Sequence, residues 1–245
     1  MTHKVRDTLY ATETNAAVAD FVFDDAVARV FPDMLDRSVP GYAELVRLIG
    51  LLAGSFLTPS SCGYDLGCSL GAVSASILTQ NHLPGVRLIA IDQSPAMIAR
   101  LHEVLAAPIA QGRLIPHCAD IEQYPITDAK LCVLNLTLQF LPVERRLPLL
   151  SRLCHSLLPG GGLILTEKVC WDQPPFEQLM TRLHTDFKRS NGYSELEISR
   201  KRAALEQVLR PETPEQHEAR LYAAGFVQVM RWFQCANFIS WVAWN

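Results

Sequence analysis

The sequence has no long apolar run. Its longest, Leu48 to Leu57, is about half of what a bilayer span needs, so no transmembrane helix and no membrane partner are expected. The opening MTHKVRDTLYATETNAAVAD is polar and has no apolar core, which argues against a secretory signal. Net positive charge is also missing: 22 Lys and Arg against 25 Asp and Glu give a formal charge of -3. No overall basic field draws the chain to phosphate backbones, so direct nucleic-acid binding is not expected. The seven cysteines, at 62, 68, 118, 132, 154, 170 and 235, include no C-x-x-C pair, and no histidine stands at zinc-finger spacing. Most fall in apolar, strand-like segments and read as small buried hydrophobes of a reducing cytosol. Neither metal nor disulfide is expected, and the chain reads as cytoplasmic. Internal repeats and low-complexity linkers are absent as well.

At 245 residues, 49% of them hydrophobic, the chain is long enough to bury a full core. After Gly63 short β-type runs alternate with longer helical ones. CGYDL, VRLIAID, RLIPHCAD, KLCVLNL and GGLILTEKV read as five buried strands. Helical segments are expected at 72–80, 94–106 and 142–158, the last kinked where Pro148 removes a donor. Strand and helix in turn imply an α/β fold with a doubly wound, mostly parallel sheet. Thr213-Pro-Glu-Gln216 is a capping-box start for a helix ending near Gly225, and FVQVMRWFQ with ANFISWVAWN reads as a closing antiparallel hairpin. Seven strands in that pattern resemble the Rossmann-like class I S-adenosylmethionine (SAM) dependent methyltransferases. A single SAM-binding domain over 1–245 is expected, with an N-terminal helical region over 1–60 and a helical insertion, or lid, over 174–210.

In Asp65-x-Gly67-x-x-x-Gly71 the first glycine lets the chain turn tightly after its strand and lets backbone approach a ligand without a Cβ in the way. Nicotinamide folds use G-x-G-x-x-G to aim a helix N-terminus at a pyrophosphate. The spacing here, with an acid two residues before the first glycine, favours SAM, which has no phosphate. Asp92 in AIDQS ends the next strand, about where a carboxylate meets ribose hydroxyls. Asp120-Ile121 follows the third strand and is placed to meet the adenine edge. Structural alternatives stay open: Asp92 can cap the helix that Ser94-Pro95 begins, and Asp120 can close a turn. Asn135 follows the fourth strand, where the reacting end of the cofactor belongs, or serves as a strand-end hydrogen-bonder. The N/D-P-P-Y/F signature of adenine and glutamine methyltransferases is missing there. No residue announces itself as a base for methyl transfer, and His82, His117 and His184 have no obvious partners in sequence.

Two stretches outside the core are more specific. FDDAVARVFPDMLDRSVPGY (23–42) and DFKRSNGYSELEISRKRAALE (186–206), with YDLGCSLGA in the loop, resemble carboxy-S-adenosyl-L-methionine (carboxy-SAM) synthases from about Arg6 to the last strand. The resemblance implies conversion of SAM and prephenate into carboxy-SAM and phenylpyruvate. It implies no methyl transfer, and a product passed to a separate tRNA carboxymethyltransferase that modifies a wobble uridine. It also implies a homodimer. Cofactor contacts carried over by motif fall on Tyr42, Gly67, Cys68, Ser69, Asp92, Gln93, Asp120, Ile121 and Asn135. Gln93 replaces the asparagine of a relative. Arg202, in ISRKR, matches the family arginine that grips the new carboxylate and is the expected catalytic residue; a guanidinium offers two parallel N–H donors where lysine offers a point charge. On physics alone Arg200, Lys201 and Arg202 read as a solvated helix face, with Glu197 and Lys201 an i,i+4 pair. Two other readings remain: a small-molecule methyltransferase, and a cofactor-binding protein that assists the tRNA enzyme without turnover.

Overall fold

The computed structural model describes residues 5–11, 21–206 and 208–245. Residues 1–4 and 12–20 of the expected N-terminal region, and Gln207 of the insertion, lie outside the described residues. One seven-stranded sheet is built from β1 (Cys62–Leu66), β2 (Arg87–Asp92), β3 (Leu114–Cys118), β4 (Ala129–Asn135), β5 (Leu157–Lys168), β6 (Gln228–Cys235) and β7 (Phe238–Trp244). Their order is β3-β2-β1-β4-β5-β7-β6. The first five run parallel, β7 is antiparallel to β5, and β6 is antiparallel to β7. The expected sheet and closing hairpin are both present.

The helices are α1 (Asp25–Ser38), α2 (Tyr42–Ala53), α3 (Ala72–Gln80), α4 (Pro95–Val104), α5 (Ala106–Ala110), α6 (Val143–Ser156), α7 (Pro174–Ser190), α8 (Glu195–Glu206) and α9 (Pro214–Ala223). The segment expected at 94–106 therefore ends two residues early, and a short separate helix follows it. α6 runs unbroken through Pro148; burial of Leu149, Leu150 and Leu153 on the sheet outweighs the hydrogen bond lost there. α9 opens on the expected capping box, Thr213 Oγ1 accepting from Gln216 N while Gln216 Oε1 accepts from Thr213 N.

Strand periodicity decides which face each side chain joins. Along β4, Leu131 and Val133 pack against Leu45 and Ile49 of α2, Val73 and Ile77 of α3 and Leu101 of α4. Cys132 and Leu134 point the other way, to Leu149 and Leu153 of α6, Leu221 of α9 and Trp241 of β7. Both faces are covered, so the parallel strands are apolar throughout rather than alternating. Each such leucine contributes roughly 1.5–3 kcal/mol on burial.

Parallel direction puts the carboxyl ends of all five strands along one edge. The chain order reverses between β1 and β4, and that reversal opens a crevice where ligands bind in doubly wound sheets. α1 and α8 meet above it: Val27, Val30 and Met34 pack with Met97 of α4 and Ala204 of α8. Among the described residues, no helix is long and apolar enough to cross a membrane.

Candidate active site

A cavity of about 620 Å³ lies over the crevice, and nine of the ten residues singled out in the sequence line it: Tyr42, Gly67, Cys68, Ser69, Asp92, Gln93, Asp120, Ile121 and Asn135. Gly67 turns at φ +77°, and a Cβ there would overlap the Thr137 side chain. Ser69 and Leu136, both on the cavity wall, hold φ of 51° and 59° without being glycine. Left-handed backbone at such residues costs free energy and collects at functional sites.

The two carboxylates that begin the site are held differently. Asp65, 1% exposed, takes the Ser74 amide at 3.1 Å and the Ser74 hydroxyl at 2.7 Å on a single oxygen, Oδ2. Burial pushes its carboxyl up to about 6 against the pull of those two bonds. Asp92 accepts from Ser69 N at 2.9 Å on Oδ2 and from Ser94 N at 2.9 Å on Oδ1. The helix cap is Ser94 itself, whose hydroxyl accepts from Met97 N. Asp92 instead joins the glycine loop to the start of α4, and burial raises its pKa. Each oxygen keeps a second lone pair for a ribose hydroxyl.

Asp120 closes the turn anticipated for it, with Glu122 N donating to Oδ1 at 2.8 Å, and it also faces the cavity. Asn135 Oδ1 is buried and has no hydrogen-bond partner among the described residues. An orphaned acceptor on a cavity wall calls for a donor from a ligand. Tyr42 opens α2, half-buried beside Asp65 and Asp36; burial and those charges raise its phenol. The Cys68 thiol is driven well above its usual value by burial, then by Asp65 and Asp92, and so packs as a neutral group. Together the close backbone approach at Gly67, the acids and the open acceptor fit a nucleoside carrying a cationic sulfonium and an α-ammonium group.

Arg202 is not brought to this cavity. Its side chain is exposed, while its neighbour Lys201 is buried and lines the wall with Leu205, one helical turn further on, and Leu209, beyond the end of α8. The Glu197–Lys201 pair is not what forms either. Lys201 Nζ lies 3.6 Å from Asp7 Oδ2 and 2.9 Å from Ser38 Oγ, and Glu197 takes Ser194 N and Oγ. Burial lowers the pKa of Lys168 and of Lys188, both lining residues, and the charge of Arg202 adds a smaller push in the same direction.

Sequence reasoning passed over Lys168 and Lys188, and it named His184 without finding its partner. Lys168 closes β5, so its place at the sheet edge was open to inference. His184 and Lys188 stand four apart on α7, one helical face, and nothing local says what that face covers. His184 Nε2 is 2.7 Å from Ser38 O, and burial pushes its imidazole down to about 3, so it is neutral. His82 is exposed, and the half-buried His117 stacks at a tilt on Tyr124.

Sheet order, glycine loop and strand-end carboxylates define a class I SAM-dependent methyltransferase fold. The methyltransferase domain family matches residues 64–161. Solved structures agree on the fold: an O-methyltransferase family protein from Burkholderia thailandensis has a TM-score of 0.63 at 16% identity over 90% of this chain and 59% of that one. Human N-acetylserotonin methyltransferase in complex with SAM has a TM-score of 0.59 at 17% identity, over 90% of this chain and 55% of that one. This chain thus spans under three fifths of the length of those two proteins. Two curated relatives, each named carboxy-S-adenosyl-L-methionine synthase, are far nearer. That of Ectopseudomonas mendocina is 51% identical over 97% of both chains, and that of Geobacter metallireducens 50% identical over 99% of both. The chain belongs to the carboxy-S-adenosyl-L-methionine synthase family.

Proposed function

We propose that this protein converts SAM and prephenate into carboxy-SAM and phenylpyruvate. Identity of 51% and 50% to synthases over nearly the whole chain carries the reading. The sulfonium supplies an acidic methyl, and prephenate supplies carbon dioxide as its ring becomes aromatic. The methyl proton and the prephenate hydroxyl leave together as water, so atoms and charge balance. In this reading Asp92 holds the ribose, Asp120 and Ile121 the adenine edge, and Gln93 the adenosine. Gly67, Cys68 and Ser69 let the methionine end approach, Tyr42 packs beside it, and Asn135 offers its free acceptor near the reacting end.

Arg202 is proposed to grip the new carboxylate. Its charge already reaches Lys168 and Lys188, and it needs only closure of the α7–α8 lid or a second subunit to face a ligand. A homodimer is part of this proposal. Phe176, Leu179 and Leu183 are 57%, 46% and 47% exposed and form one apolar stripe along α7, a face that a second copy would cover. Static light scattering giving the monomer mass would remove the dimer. The chain is read as one SAM-binding domain working in the cytoplasm without metal. Its product serves a tRNA carboxymethyltransferase, and the protein itself touches neither RNA nor membrane.

One observation favours a second reading, a small-molecule methyltransferase: Arg202 lies outside the cavity. Mass spectrometry of the ligand released on denaturing the purified protein separates the two. A ligand heavier than SAM by one carboxylate in place of a hydrogen supports the synthase, and S-adenosylhomocysteine supports the methyltransferase.

A further inference from the structure

The cavity carries opposite charge at its two ends. Asp65, Asp92 and Asp120 stand at the ends of β1, β2 and β3, where the nucleoside belongs. At the other end Lys168 closes β5, Lys188 projects from α7 and Lys201 from α8. Lys201 is already paired, with Asp7 Oδ2 at 3.6 Å. Among the described residues neither Lys168 nor Lys188 has a side-chain hydrogen bond or an ion pair. Glu177 acts on Lys168 from a distance, but its own oxygens take the Trp171 amide at 3.0 Å and the Thr181 hydroxyl at 3.1 Å. The charges acting on Lys188 are Lys168, Lys201 and Arg202, all positive.

Two half-buried ammonium groups facing one cavity repel each other, and both lose hydration. Folding gives Lys188 no anion and Lys168 only the distant Glu177, so negative charge on a ligand would stabilise the arrangement. Burial and the neighbouring cations push Lys188 down to about 7, which an arriving carboxylate would reverse. His184, one turn before Lys188, stays neutral and adds no further repulsion. Phe140, Leu209 and Phe238 complete the wall with apolar surface suited to a small carbocycle.

We infer that Lys168 and Lys188 form the subsite for the second substrate and select a small dicarboxylate with an apolar body. This rests on the synthase reading, which supplies prephenate as the dicarboxylate. Steady-state kinetics on K168Q and K188Q, with SAM saturating and prephenate varied, tests it. Each variant should raise KM for prephenate at least about tenfold, as expected when a charge-assisted hydrogen bond is lost. Affinity for SAM by calorimetry should stay within about twofold, which also checks folding, and K188R should recover most of the lost affinity. Wild-type turnover with KM unchanged in both glutamine variants overturns the subsite and leaves the synthase reading standing. A fall in kcat with KM unchanged overturns it too. No turnover of prephenate by the wild type overturns the synthase reading and the subsite together.

Discussion

The backbone N–H of Ser69 donates to Asp92 Oδ2 at 2.9 Å, so the glycine loop after β1 is tied to the carboxylate at the end of β2. Asp92 thus shapes the loop as well as lining the cavity. Asp92→Asn replaces one acceptor oxygen by a donor and sets it against an amide from Ser69 or Ser94. The expected result is a loss of SAM affinity of at least about tenfold by calorimetry, roughly 1.4 kcal/mol. An unchanged affinity would mean that Asp92 serves the loop alone.

Gly67 combines a left-handed φ of +77° with the Thr137 side chain where a Cβ would go. Gly67→Ala adds about 1–2 kcal/mol of backbone strain before any clash is counted. The variant should unfold at lower urea concentration and bind SAM weakly. Gly71→Ala should be milder, because the groups its Cβ would meet are the side-chain ends of Leu105 and Leu101.

His217 is 1% exposed and stacks at 5.1 Å on Trp241, with both ring nitrogens unpartnered among the described residues. Burial pushes its pKa from 6.5 to about 4. Below pH 6.5 the unfolded chain takes up a proton that the folded chain refuses, so stability is lost as pH falls from 6.5 towards 4. The slope is up to about 1.4 kcal/mol per pH unit. His217→Phe keeps the stacked ring without the titration. Its melting temperature relative to wild type should therefore climb steadily from pH 7 to pH 4.5, and a constant offset would refute this.

Arg202→Ala should weaken binding of carboxy-SAM at least about tenfold and leave SAM nearly untouched, because only the former carries the extra carboxylate. Equal effects on both ligands, or none on either, would remove Arg202 from the site and strengthen the methyltransferase reading.

Of the nine cavity residues, Gly67, Asp92, Asp120, Ile121 and Asn135 were legible from their places at strand ends, whereas Tyr42, Cys68, Ser69 and Gln93 came only from the family resemblance. Parallel strands bring such ends together whatever else the chain does. The glycine loop, Asp92 and Asp120 needed only the alternation of elements to be placed. Lys188 and His184 were not legible, since they lie on an insertion whose helical period gives a face but not what it packs against. The run Arg200-Lys201-Arg202 shows the same limit. One residue step turns a helix by about 100°, and contact with Asp7, nearly two hundred residues away in sequence, draws Lys201 rather than Arg202 inward.

Prephenate labelled with carbon-13 in its ring carboxylate, incubated with SAM and the purified protein, tests the central claim most directly. The account predicts phenylpyruvate and carboxy-SAM in equal amounts, with the label in the new carboxylate. Phenylpyruvate formed beside unaltered SAM, or no consumption of prephenate at all, would contradict it.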